Sequence, residues 1–180
     1  NPKAQGLFAR LVGMSGSVHG PLMAPVPLAV GEGQGVRLQK VLGAASIEAM
    51  RDLPGDRILA VAAGVPRAPV VIDGVHVTGT VQQVFAAHRQ NDVPVMVGFT
   101  RDERFANLGP AKTVSEYEAV IRDAFGARAP AVLRAYPAKD DAAVERALVD
   151  VMRDMTVGSQ MLNWASASVA NGTQPAYGYH

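Results

Sequence analysis

The 180 residues carry 17 Lys and Arg against 16 Asp and Glu, a formal net charge of +1, with 48% apolar residues and no cysteine. So even a balance excludes the electrostatic footprint of a protein that grips nucleic acid or an anionic membrane, and no apolar run nears the roughly 20 residues of a spanning helix. The missing cysteines exclude disulfides, thiolate nucleophiles and cysteine zinc sites, which leaves one globular domain's worth of core and an open question of compartment.

The chain goes almost at once into Gly6-Leu7-Phe8-Ala9-Arg10-Leu11-Val12, as though already inside a structural unit. Leu11 to Met14, ended by Ser15-Gly16-Ser17, reads as a short buried strand. Pro21, Pro25 and Pro27 make a loop, and apolar residues at helical spacing then predict a helix from Leu28 to Leu42 that stops at Gly43. Inside it, Gly31-Glu32-Gly33-Gln34-Gly35 lacks both the preceding strand and the spacing of a dinucleotide-binding loop, so close helix packing is the expected use of those glycines. Ser46 is positioned to cap a short helix closed by Pro54, and Asp56 to cap another through Ala62. Val70 to Val77 with Asp73-Gly74 at its centre predicts a hairpin, and His76 on it reads as structural. Thr80 to His88 fits an amphipathic helix.

Val93 to Phe99 has the composition of a buried parallel strand, and Arg101, Asp102 and Glu103 follow where it would deliver its C-terminal end. Open α/β sheets place their working residues at such ends. From these residues alone two readings stand: a surface turn with three solvated charges, or an acid of a catalytic triad. Beyond Phe105, Thr113-Val114-Ser115-Glu116 has the spacing of a capping box ahead of the apolar stripe Tyr117, Val120, Ile121 and Ala124. Helices are predicted at Ala129 to Tyr136, Asp140 to Met155 and Ser159 to Ala170; the last carries Met161, Leu162, Trp164 and Ala165, a stripe that serves either as core or as a pocket wall. Asn171-Gly172-Thr173 reads as a glycosylation acceptor or as a helix-ending turn, and Ala176 to His180 as a strand just begun. The order of elements is α/β with a helix-rich second half and no internal linker.

Set in order, these features resemble the type-B carboxylesterases, the α/β-hydrolases that include bacterial carboxylesterases, para-nitrobenzyl esterase and the cholinesterases. Asn1 to Phe8 looks like the end of the helix behind that family's nucleophile, Met14 to Ser17 like its next strand end, and Pro69 to Gly74 like its PVIDG hairpin. Val97-Gly98-Phe99-Thr100-Arg101-Asp102-Glu103 looks like its GxNxDE strand end, and Arg153-Asp154-Met155, the Trp164 helix and Gln174 to Tyr179 like the run into a late strand. The resemblance covers the whole chain in the right order. It implies part of an α/β-hydrolase fold, a mostly parallel sheet flanked by helices, and residues 1–180 as a single segment incomplete at both ends.

The resemblance also implies a serine-esterase mechanism acting on a small-molecule carboxylic ester, with no metal and no organic cofactor. Of the triad only the acid carries over, and it falls on Glu103. Ser15 matches a serine that supports the acid by hydrogen bonding, Asp102 adjoins the acid, and Phe105, Asn107, Leu108, Met161 and Trp164 are the candidate pocket residues. Relatives have asparagine and glycine where this chain has Thr100 and Arg104, and an arginine beside the acid is expected to lower its pKa or crowd its loop. No G-x-S-x-G elbow is present, His19 and His88 match no catalytic position, and by the resemblance His180 aligns with a position in the strand before the catalytic histidine, so the expected partner is the remainder of the same esterase. The alternative is an esterase-like module that binds partners without hydrolysis.

Overall fold

The computed structural model describes residues 1–16, 19–20, 24–62, 64–65, 70–104 and 106–180. They cluster into two compact units, residues 1–7 with 23–91 and residues 8–22 with 92–180.

In the first unit, strand β2 (Val26–Pro27) runs straight into helix α1 (Leu28–Leu42), followed by α2 (Ile47–Arg51), α3 (Gly55–Ala62), strand β3 (Val71–Ile72) and α4 (Val81–Ala86). Two local signals act as read: Gly43 takes the left-handed conformation (φ 66°) that ends α1, and the Ser46 hydroxyl accepts the Ala49 amide, whereas Asp56, expected to cap α3, lies inside its first turn because the helix already starts at Gly55. Of the three glycines in α1 only Gly31 is used for close packing, since a Cβ there would lie 2.8 Å from Val71 Cγ2, while Gly33 and Gly35 face open space.

The expected hairpin at Val70 to Val77 does not form. β3 pairs in parallel with β2, Val26 opposite Val71 and Pro27 opposite Ile72. After it, one oxygen of Asp73 accepts the amides of Val75, His76 and Val77 at 2.8–2.9 Å, with Gly74 at φ 74°. That single carboxylate consumes the donors a returning strand would need, so the turn closes on itself. The same bonds, the Val77 amide foremost, hold the Asp73 carboxyl down to about 2.

The second unit is built on a three-stranded parallel sheet in the order β1-β4-β5: β1 (Leu11–Met14), β4 (Val95–Gly98) and β5 (Ala176–Tyr179). Val95 and Val97 point to the face covered by helix α8 (Ser159–Asn171), where they meet Val157, Met161, Trp164 and Ala165. The opposite face, carrying Val12, Met14, Met96 and Tyr177, is exposed.

A second core lies between helices α5 (Val114–Phe125), α6 (Ala129–Ala135) and α7 (Val144–Arg153), around Tyr117, Ile121, Ala129, Val144, Leu148 and Val151. Thr113 and Glu116 form the capping box that the sequence predicts. The helix expected from Asp140 to Met155 is a 3-10 turn (Asp141–Ala143), then α7, then a π-helical turn (Asp154–Gly158) that runs on into α8. The Thr156 hydroxyl donates to the carbonyls of Met152 and Arg153 at 2.6 and 3.2 Å, the kind of back-bond that loosens an α-helical ladder. Asn171-Gly172-Thr173 is the helix-ending turn: Asn171 Nδ2 donates to Ala167 O at 2.9 Å, and the Thr173 hydroxyl and amide bind Asp92.

Candidate functional site at the strand ends

In a parallel sheet every strand delivers its C-terminal end to the same edge. Here that edge collects Ser15 after β1, the loop from Phe99 to Arg104 after β4, and His180 after β5. The Ser15 amide still belongs to the ladder, donating to Gly98 O at 2.9 Å. Its φ of 56° then turns the chain away. A non-glycine residue adopts that conformation at a cost, and such residues gather at functional sites.

The turn aims the Ser15 hydroxyl at Glu103 Oε1. The same oxygen also accepts the Thr100 hydroxyl at 3.0 Å and the Thr100 amide at 3.3 Å. Glu103 Oε2 takes no hydrogen bond from any described residue. Stabilised foremost by the Ser15 hydroxyl, against the opposing effect of desolvation, and further by Thr100, the carboxyl is held below the usual glutamate range. Among the described residues every donor to this carboxylate reaches Oε1.

Arg104, expected to act on the acid, instead pairs with Glu145 at 3.1 Å and is not among the causes of the Glu103 shift. Asp102 turns away from Glu103 to pair with Arg146. The candidate pocket residues do not gather into one wall. Asn107 is exposed, its Oδ1 accepting the Gly109 amide at 2.9 Å, and borders a groove with Lys112, Glu145 and Met152. Leu108 packs against the three-helix core. Met161 is 2% exposed in the core beneath the sheet. Trp164 lies so close to Gly13 that a Cβ there would come within 2.4 Å of its ring, and it stacks on His19 with ring centres 6.0 Å apart. Phe105 lies outside the described residues.

What sequence reasoning passed over is a chain of charges behind the loop. Arg146 Nη2 and Arg153 Nη1 both donate to the carbonyl of Arg101, at 3.1 and 3.2 Å, and both bind Asp150 Oδ1 at 2.7 Å. Arg153 Nε also binds Asp154 at 2.7 Å, and Asp154 in turn accepts the Tyr136 hydroxyl at 2.9 Å. Burial, with the Asp154 carboxylate, pushes Tyr136 up to about 12. The i, i+3 and i, i+4 spacing of Arg146, Asp150 and Arg153 on one helix was the available signal. Among the described residues no group of three or more His, Asp or Glu side chains is placed to hold a metal ion.

Ser15→Ala removes the largest of the influences that hold Glu103 ionised, so the folded-state pKa of Glu103 rises toward its ordinary value. A depressed carboxyl contributes stability above its unfolded pKa and loses it as pH falls through the folded one. In Ser15→Ala that acid-dependent increment shrinks and its loss is complete at a higher pH. Carbon-detected titration of labelled glutamate checks this, and an unmoved Glu103 curve would show that the hydroxyl does not hold the carboxylate.

No family model matches the chain. It is 33% identical over 116 residues to the fumonisin B1 esterase of Sphingopyxis macrogoltabida, a match covering 63% of this chain and 21% of that enzyme. Two solved structures of PNB esterase superpose on 99% of the chain with TM-scores of 0.61 and 0.59, at 18% identity, and the chain covers 38% and 40% of them. The chain therefore spans about a fifth of the curated relative and about two fifths of the solved structures. Its fold is the α/β fold of the matching part of those PNB esterase structures, a parallel sheet flanked by helices.

Proposed function

We propose that residues 1–180 act within a carboxylic-ester hydrolase of the serine-esterase type and supply the acid of its triad, Glu103. The observation that carries the reading is the two-sided environment of that carboxylate: Oε1 accepts Ser15 and Thr100, and Oε2 accepts nothing from the described residues. An acid that orients a histidine needs this division, one oxygen fixed by the protein and one free to accept the imidazole N–H. Its depressed pKa keeps it ionised at neutral pH, so it can stabilise the imidazolium formed when the base takes the serine proton.

In this reading the nucleophile serine, the histidine and the oxyanion donors come from outside residues 1–180, since the chain holds no G-x-S-x-G elbow. The exposed sheet face of Val12, Met14, Met96 and Tyr177 is where the remainder of the same esterase would bury apolar surface. The similarity to the fumonisin B1 esterase supports an ester substrate.

The test uses the polypeptide that unites this segment with a nucleophile elbow and a later histidine. It is expected to hydrolyse a para-nitrophenyl ester and to take up one fluorophosphonate label per molecule on the elbow serine. Absence of both hydrolysis and labelling in a folded preparation would overturn the assignment.

A further inference from the structure

Glu103 stands in a loop, and a triad acid works only if it is held to within a fraction of an ångström. The support comes from α7. Arg146 and Arg153 lie two turns apart on one face of that helix with Asp150 between them, and their guanidinium groups converge on one backbone atom, the carbonyl oxygen of Arg101. That carbonyl lies two residues before the acid and one after Thr100, whose amide and hydroxyl bind Glu103 Oε1.

Arg153 is built in firmly. Its side chain is 10% exposed, it binds Asp150 and Asp154 at 2.7 Å each, and its guanidinium lies over the Phe99 ring, 5.7 Å from the centroid. Arg146 adds a second grip on the loop by pairing with Asp102, the residue next to the acid.

We infer that Arg153, assisted by Arg146 through the shared Asp150, is a positioning residue for Glu103: the two guanidinium groups fix the Arg101 carbonyl, and so fix the loop that delivers Thr100 and Glu103 to Ser15. This rests on the reading of Glu103 as the triad acid. The arginine pair touches no reacting atom; it acts through the backbone. Only a planar fork reaches two carboxylates and a carbonyl together, and a lysine ammonium in its place keeps the charge and loses the geometry.

The experiment uses the assembled, active esterase with Arg153→Lys and, as a less buried site, Arg146→Lys. In each folded variant kcat is expected to fall by about 10²-fold with KM unchanged, as for a misplaced catalytic group. The Thr100 amide is expected to lose protection against hydrogen exchange, and the Glu103 titration to move up. A variant that melts as the parent does, yet keeps the parental Thr100 exchange and Glu103 titration, would overturn the inference. Should Arg153→Lys fail to fold, Arg146→Lys alone decides. Exchange and titration do not depend on Glu103 taking part in turnover, so a failure of the triad reading, seen as unchanged turnover in Glu103→Gln, remains distinguishable from a failure of the positioning role.

Discussion

Glu103→Gln is expected to lower kcat of the assembled esterase by about 10⁴-fold while leaving its unfolding transition in place. Glutamine has the shape of glutamate and keeps an oxygen that can accept the Ser15 and Thr100 donors, so the loop keeps its seat. The two things lost are the charge that stabilises an imidazolium and a free acceptor at the Oε2 position. An amide NH₂ there faces the histidine with a donor, and the imidazole must either rotate or take the wrong tautomer. The measurement is steady-state hydrolysis of a para-nitrophenyl ester beside a denaturation curve. Turnover equal to the parent's would remove Glu103 from the mechanism, and a lost folding transition would mean that the carboxylate is chiefly structural.

Glu103, the proposed acid, was singled out in the sequence by the resemblance of Val97 to Glu103 to a GxNxDE strand end and not by the charge run itself. A charge run after an apolar stretch is ordinarily a solvated turn, and Arg101 and Asp102 do lie at the surface. What separates Glu103 from its neighbours is the Ser15 hydroxyl, 88 residues away. No local pattern encodes that contact; it exists because β1 and β4 pair in parallel and end together, Met14 opposite Gly98. Caps were legible for the opposite reason. Ser46, Gly43 and the Thr113–Glu116 box satisfy helix-end groups within a few residues, so their chemistry is written in consecutive letters.

The hairpin failed on the same ground from the other side. Asp73-Gly74 specified a tight turn correctly, but a turn does not specify that a strand returns from it, and β3 found its partner in β2 instead. Asp102 and Arg104 were read by adjacency to Glu103, yet neighbours in sequence need not share a side, and each met a partner on α7. Met161 and Trp164 share a helical stripe that periodicity identifies as apolar without saying what it faces. Here it faces Val97 and Gly13 under the sheet.

The same pairing of strands makes Gly98 the position where packing and site meet, and Gly98→Ala is expected to destabilise the chain by about 3 kcal/mol, the upper range for overpacking a core. A Cβ built on Gly98 would lie 2.2 Å from the carbonyl oxygen of Tyr179 and 2.6 Å from two atoms of its ring. A flexible side chain could swing aside, but the carbonyl belongs to β5, which runs in register against β4 with Gly98 opposite Tyr179. Relief requires β5 to move away, breaking ladder bonds at the end of the sheet where the site lies. The Gly98 carbonyl also accepts the Ser15 amide, so a shift of β4 in the other direction would loosen the turn that aims the Ser15 hydroxyl at Glu103. Both routes converge on a lower denaturant midpoint and, in the assembled esterase, on a fall in kcat; Gly178→Ala, whose Cβ meets nothing within 4 Å, is the control that should keep both near the parental values. Parental stability in Gly98→Ala would mean that β5 is not held against β4 in this register.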